Sequence, residues 1–440
     1  MGISIEGDVS SKLGLASHQN AVPLLRQLKI ANDGTEGLED LVLELETSLP
    51  FASPKSWRID RLAPNSSIAI PDRDVELREG YLADLTESMR ASIHLRLRSG
   101  TGILAEQRFP VELLARNQWG GAGSMPELLA AFCMPNDPAV DKVLKSTSDV
   151  LRRAGRTDGI DGYGAGSRKR VWELTSAVWS AVCGYQVSYV LPPASFEQEG
   201  QKIRSPSQVL DGHVGTCLDT ALLFAAALEQ AGLNPVLLMT KGHAFAGVWL
   251  QPQEFSQVLN EDASSVRKRI ELQELLVFET TLATQSPAPG FSHAVDVAKR
   301  QLTDDDFVMA VDLRRARMQK VRPLTVTASV YSSWRNGTSI FSLTQSQSMD
   351  ISCGWLLTIL SAGILTEYRS ERRTFAPSKS WHPRKFSRCL DRSGQRMLSS
   401  KLRGLSVSAG FRPRPEGASP RCSTQLVSAR SRTSPQKEAD

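Results

Sequence analysis

The sequence predicts an α+β protein: an amino-terminal β-sandwich, a mixed α+β domain, and a low-order basic tail. Three observations predict this. Residues 93–98 (Ile-His-Leu-Arg-Leu-Arg) alternate strictly, the period of a strand with one buried face. Residues 217–231 space Leu218, Ala221, Leu222, Ala225 and Leu228 along one face of a helix, and apolar runs at 235–240, 243–250 and 275–281 follow it. Residues 366–440 carry 17 Lys or Arg against 6 Asp or Glu, with 14 Ser and little periodicity.

The tail dominates the charge. The formal net charge is +5, so the tail's +11 leaves −6 for the first 365 residues. The bulk of the protein is therefore mildly acidic. At roughly 100–200 residues per domain, 440 residues make about two to four domains. A 41% hydrophobic, 22% charged composition excludes a collagen-like, wholly disordered or polytopic membrane chain. Six cysteines with no CxxC pair exclude a disulfide scaffold, a zinc ribbon and a thioredoxin-like redox motif. The start, MGISIEGDVSSK, lacks a signal-peptide pattern, and Glu6 does not fit myristoylation. The longest mostly apolar run, 351–365, is 15 residues, short of the ~20 a spanning helix needs. The expectation is a cytoplasmic protein with no membrane contact, cofactor or metal.

Residues 1–118 read as the sandwich. Leu41, Leu43 and Leu45 alternate with Val42, Glu44 and Glu46. Shorter strands are expected at 28–30, 68–70, 75–77 and 109–113, punctuated by Asn32-Asp33-Gly34 and Ala63-Pro64-Asn65. Residues 119–330 read as α+β. Asp137-Pro138 supplies a cap and a first-turn proline for a helix carrying Val140, Val143, Leu144 and Leu151. The stretch 155–170 reads as a loop. Its GYGAGSRK misses the GxxxxGK[ST] pattern and follows no strand, so nucleotide binding is rejected there. Residues 171–183 read as a buried helix with Trp172 and Trp179 in the core. Gly232 stands where the helix from Cys217 needs a left-handed residue, and Lys241-Gly242 turns one strand into the next.

This layout places chemistry. Cys217 falls at a helix N-terminus, where unpaired N–H groups and the helix dipole favour a negative charge, and thiolate is the reactive form of cysteine. His243 heads a nearby strand and is positioned to shuttle the thiol proton. Glu279, on a further strand, is positioned to orient the imidazole, with Asp262 and Asp219 as rivals. The backbone N–H of Cys217 is one expected oxyanion donor, and Gln208 is the candidate for the second.

The order of Cys217, a helix ending in AGLNP, a strand, His243 and then Glu279-Thr280 resembles the transglutaminase-like branch of the papain-like thiol fold. More narrowly, GTCLDTALLFAAALEQAGLNPVLLMTKGHAFAGVWL and LLVFETT resemble the amino-terminal region of large bacterial proteins. Those proteins couple this module to a superfamily 1 helicase and a very-short-patch-repair-type endonuclease. NQWGG (117–121), QKIRSP (201–206) and FVMAVDLRRARMQKVRPL (307–324) share the resemblance, which spans residues 20–324. It implies an immunoglobulin-like sandwich over 1–118, a transglutaminase-like domain over 119–330, and a catalytic triad of Cys217, His243 and Glu279. The superfamily usually has Asp at the third place. The implied activity is that of a cysteine hydrolase or acyltransferase acting on an amide or thioester, in a nucleic-acid-associated defence or repair complex; the resemblance names no substrate, and the expected one is an unidentified protein or peptide. The other implied role is a non-catalytic binding or sensor module. The relatives continue into a helicase near residue 324, whereas here the composition changes abruptly from about Ser332. The expectation is a truncated or frame-disrupted copy with a basic tail over 331–440. Genomic reads across codons 325–345 are expected to show a frame disruption, and one intact frame in independent isolates would refute it.

Overall fold

The alternating stretches become strands because each has one face to bury. The computed structural model, which describes residues 2–325, contains eight strands in its amino-terminal part. These are β1 (Ile3–Val9), β2 (Lys12–Leu13), β3 (Leu25–Asn32), β4 (Leu38–Thr47), β5 (Lys55–Leu62), β6 (Ser66–Ala69), β7 (Met89–Ser99) and β8 (Gly102–Leu113). Short helices α1 (Leu15–Gln19) and α2 (Glu79–Asp84) lie in the connections. The strands form two sheets, β1-β3-β6 and β2-β8-β7-β4-β5. The tail expected over 331–440 and the apolar run at 351–365 lie outside the described residues.

Register explains the alternation. Leu43 pairs Leu97 and Leu45 pairs Leu95 across β4 and β7, so their side chains stack on one face. They share a core with Ile5, Leu28 and Ile30 of the facing sheet, which makes the unit a sandwich. Each fully buried Leu or Ile stabilises by about 1.5–3 kcal/mol relative to exposure. On the outer face Arg96 pairs with Glu46 and Glu106, each at 2.9 Å. The strand expected at 75–77 is not formed. Pro71 has no N–H to donate, and the carbonyl oxygens of Asp72 and Asp74 accept from the Trp57 indole and Lys55. Only an isolated bridge, Ala52 to Leu77, remains.

The second part contains β9 (Gln118–Trp119), α3 (Pro138–Arg153), α4 (Arg168–Cys183), β10 (Ser188–Tyr189), α5 (Phe196–Glu199), β11 (Gln201–Lys202), α6 (Pro206–Gly212), β12 (Val214–Gly215), α7 (Cys217–Gln230), β13 (Pro235–Thr240), β14 (His243–Trp249), β15 (Leu259–Asn260), α8 (Ala263–Glu271), β16 (Leu275–Phe278), α9 (Phe291–Gln301), β17 (Phe307–Asp312) and α10 (Leu313–Met318). With the sandwich, this makes an α+β fold. Asp137 caps α3 by accepting from the Ala139 N–H at 2.9 Å, with Pro138 at the first helical position.

The central sheet runs β15-β17-β13-β14-β16, all antiparallel. Its strands are apolar on both faces because both faces are covered. Leu237, Met239, Ala244, Ala246, Leu276 and Phe278 share the core of α7. Val236, Leu238, Phe245, Trp249 and Val277 share a second cluster with Val266 of α8 and Ala298 of α9. The α7 residues Cys217 to Leu228 are all buried, the pattern of a helix enclosed on every side. Gly232 follows its end at φ +81°, the left-handed conformation expected there.

An aromatic cluster fixes α7 against its neighbours. Trp179 of α4 stacks on Phe224 of α7 at 5.7 Å, and Phe278 at the end of β16 meets Phe224 edge-on at 5.3 Å. Trp172 departs from its expected core position. It is partly exposed at the rim, edge-on to Phe291 at 5.4 Å, because only one side of α4 faces the core. Lys12 ties the sandwich to the second part, donating from Nζ to the Gly120 and Glu199 carbonyls at 3.0 Å each. Among the described residues, no helix is long and apolar enough to cross a membrane.

Phe224→Ala is expected to lower unfolding free energy by about 3–5 kcal/mol through lost burial and the cavity left. Arg96→Ala, which breaks only exposed pairs, is expected to cost less than about 1 kcal/mol. Urea denaturation of the two variants checks both figures.

Candidate active site

Cys217 is the first residue of α7, and its position is set by a capping box. The Thr216 hydroxyl accepts from the Asp219 N–H at 3.2 Å, and Asp219 Oδ2 accepts from the Thr216 N–H at 3.0 Å. Asp219 also accepts from Arg204, through its backbone N–H at 2.8 Å and Nη1 at 2.9 Å. Gln201 Nε2 donates to the Thr216 hydroxyl at 3.0 Å. Asp219, a rival for orienting the histidine, is thus spent on the helix start. The other rival, Asp262, is exposed and caps α8 through the Ser264 N–H at 2.9 Å. Gln208 is not an oxyanion donor either. It is exposed, and its Oε1 accepts from the Ser205 N–H at 2.9 Å in the capping box of α6.

His243 and Glu279 do meet. His243 Nε2 lies 2.7 Å from Glu279 Oε2. Ala246 pairs Phe278 across β14 and β16, which brings Glu279, the residue after β16, close to the start of β14. Gly242 makes the turn ahead of His243 with φ +69°, a conformation glycine adopts without steric cost. The strand expected over 275–281 stops at Phe278. Glu279 instead caps a 3₁₀ turn over Thr280–Thr284, its Oε1 accepting from the Thr281 N–H at 2.9 Å and hydroxyl at 2.7 Å. That capping rotates the carboxylate out of the ladder and fixes it.

The carboxylate can only accept, so His243 Nε2 carries the proton between them. Cys217 lies close enough to the imidazole to influence its ionisation. Burial opposes a charged imidazole, but Cys217 and the hydrogen-bonded Glu279 outweigh it and raise His243 to about 10. Burial likewise opposes a charged Glu279, but its bonds to His243 and Thr281 hold it below the ordinary carboxylate range. At neutral pH the site therefore holds an imidazolium between a carboxylate and a sulfur.

Sequence reasoning missed two features. The first is a relay of hydroxyls. Thr220 donates to the Cys217 carbonyl at 2.9 Å, and with that proton spent it accepts from the Thr280 hydroxyl at 3.2 Å. This ties the Glu279 turn to the first turn of α7. The second is Tyr189, whose ionisation burial foremost, and then Cys217 and Glu279, push up to about 12, so it borders the site. Its strand β10 has two residues, too few for any periodicity to reveal it. Cys217 itself is 0% exposed, whereas Tyr189 is 37% exposed and the His243 side chain 23%. Among the described residues no group of three or more His, Cys, Asp or Glu could hold a metal.

The comparisons with known proteins return no match: no family model fits the chain and no curated protein matches it.

A pH series tests the imidazolium. Its folded pKa is raised, so the stability it contributes is full below about 6.5 and is lost as pH rises through about 10. The stability difference between wild type and His243→Gln is expected to be about 2 kcal/mol near pH 6, the scale of a hydrogen bond to a charged group. It should shrink steadily toward pH 10 in denaturant titrations. A difference that grows over that range would mean the imidazole is neutral.

Proposed function

We propose that this chain is a thiol-dependent hydrolase or acyltransferase module. Cys217 attacks an amide or thioester carbonyl, His243 moves the proton, and Glu279 holds and stabilises the imidazolium. The observation that carries the reading is the 2.7 Å contact between His243 and a 2% exposed Glu279, beside a cysteine at a helix N-terminus. A buried glutamate is rare without a partner. Here the partner is an imidazole whose ionisation Glu279 and Cys217 both raise, against its burial, and a base paired in this way suits an activated nucleophile. The transglutaminase-like resemblance of the Cys–His block supports the same assignment. Glu279 departs from the Asp usual at this place, and its longer side chain, held by the cap, reaches hydrogen-bond distance of the ring. A nucleic-acid-associated repair or defence setting belongs to this proposal through the resemblance alone.

One observation favours a second reading, a binding or sensor module that uses the same pocket without turnover. The Cys217 sulfur is covered at rest. Thiol labelling separates the two. Burial raises Cys183 to about 11 and pushes Cys133 well above the ordinary thiol range, so both are poor nucleophiles at neutral pH. With iodoacetamide at pH 7 and peptide mapping, Cys217 is expected to be alkylated at least about tenfold faster than Cys183. His243→Ala is expected to remove most of that advantage. Equal rates at Cys217 and Cys183 would refute the nucleophile, and unchanged cellular activity in Cys217→Ala would favour the binding module.

A further inference from the structure

We propose that Arg204 is a positioning residue for Cys217: by neutralising Asp219 it allows the sulfur at the start of α7 to carry a negative charge. The proposal rests on the nucleophilic role given to Cys217 and names the residue that sets how much thiolate the site holds at neutral pH.

The charges around the sulfur set the problem. His243 on β14 and Tyr189 on β10 lie close enough to Cys217 for it to influence their ionisation, and Glu279 pairs with His243. Tyr189 keeps its proton at neutral pH and adds no charge. Asp219 adds a carboxylate from the first turn of α7 itself. A thiolate, Glu279 and Asp219 would set three negative charges against one imidazolium, and in a buried site like charges oppose ionisation. Asp219 closes the capping box that forms the helix start, so its charge has to be cancelled rather than removed.

Arg204 supplies the cation. Its Nη1 lies 2.9 Å from Asp219 Oδ2, and its backbone N–H donates to Asp219 Oδ1 at 2.8 Å. The Asp219 side chain is 0% exposed and that of Arg204 39%, so solvent reaches this pair from the arginine side and screens it less than an exposed pair. Local geometry holds Arg204 in place. It follows β11, which pairs with β9, Gln201 opposite Trp119. The Ile203 N–H donates to the Asn117 carbonyl and Asn117 Nδ2 to the Ile203 carbonyl, both at 2.8 Å. On the other side Ser205 caps α6. The stretch 201–204 therefore reaches α7 twice, from Gln201 to Thr216 and from Arg204 to Asp219, the two members of the capping box. Gln201 brings only a hydrogen bond, whereas Arg204 brings a charge.

The test separates charge from shape. The full chain is alkylated with iodoacetamide from pH 6 to pH 10, and the Cys217 peptide is followed by mass. Arg204→Gln keeps a side-chain donor for Asp219 and removes the charge, whereas Arg204→Lys keeps the charge and loses the planar fork. Arg204→Gln is expected to slow alkylation of Cys217 about tenfold at pH 7, and to approach the wild-type rate toward pH 10 as the thiolate forms in either chain. Arg204→Lys is expected to stay within about threefold of wild type throughout. A wild-type profile in Arg204→Gln would overturn the proposal. Slowing by the same factor at every pH would mean that access to the sulfur has changed, and equal slowing in both variants would mean that the fork matters rather than the charge; either would overturn it. Urea unfolding checks that both chains fold, and an Arg204→Gln chain that does not fold where Arg204→Lys does would assign the pair to stability and overturn it too. If wild-type Cys217 is alkylated no faster than Cys183, the nucleophile proposal itself fails and this one falls with it.

Discussion

A single buried carboxylate organises the second part of this protein. Glu279 sits at the end of a strand inside a hydrophobic cluster, where an uncompensated charge would be strongly unfavourable. Its two oxygens are fully used. One faces His243, and the other accepts from both donors of Thr281. The arrangement is stable only with β14, β16 and the following turn in register, because the three partners come from those segments. The same contacts set the charge of the histidine. The pair therefore links the packing of the sheet edge to the protonation state that the chemistry needs.

A second set of polar contacts fixes the sulfur. Thr216 and Asp219 close the start of α7, Arg204 neutralises Asp219, and the Thr280–Thr220 relay joins this first turn to the Glu279 turn. Position and chemistry share a cause here. The N-terminal groups that make the site electropositive would be orphaned if the helix start were not closed in this way. Behind them, the aromatic cluster of Trp179, Phe224, Phe278 and Phe291 holds α4, α7, β16 and α9 together. The cysteine helix and the strand that ends at the carboxylate are packed on the same rings. A site built on such elements is held more tightly than one on loops.

Much of the fold was legible because its signals are local. The strict alternation of Leu41–Leu45 and Ile93–Leu97 can bury only one face, and those six side chains fill the sandwich core. The cap at Asp137, the left-handed Gly232 and the turn at Gly242 each follow from one residue's conformational preference. The expected strand at 75–77 failed because Pro71 and the side chains of Lys55 and Trp57 outcompeted the ladder for backbone groups. Those partners lie 15 to 19 residues away, beyond what a local pattern reports. Strand 275–281 ended early for a related reason: Glu279 satisfies the next two donors with its own side chain.

The sequence by itself determined which residue types stand at element boundaries: a cysteine opening a helix and a histidine opening a strand. Periodicity and capping chemistry suffice for that, because both act over a few residues. Only the tertiary structure decided which of these ends converge. It joined His243 to Glu279 across 36 residues and left Asp219 and Asp262 to their helix caps. It also withdrew Gln208 into α6 and set Tyr189 opposite Gly215, two residues before the cysteine. Hydrogen-bond partners over such separations are chosen by strand register and by which buried groups remain unpaired, and neither is written in any local stretch of the chain.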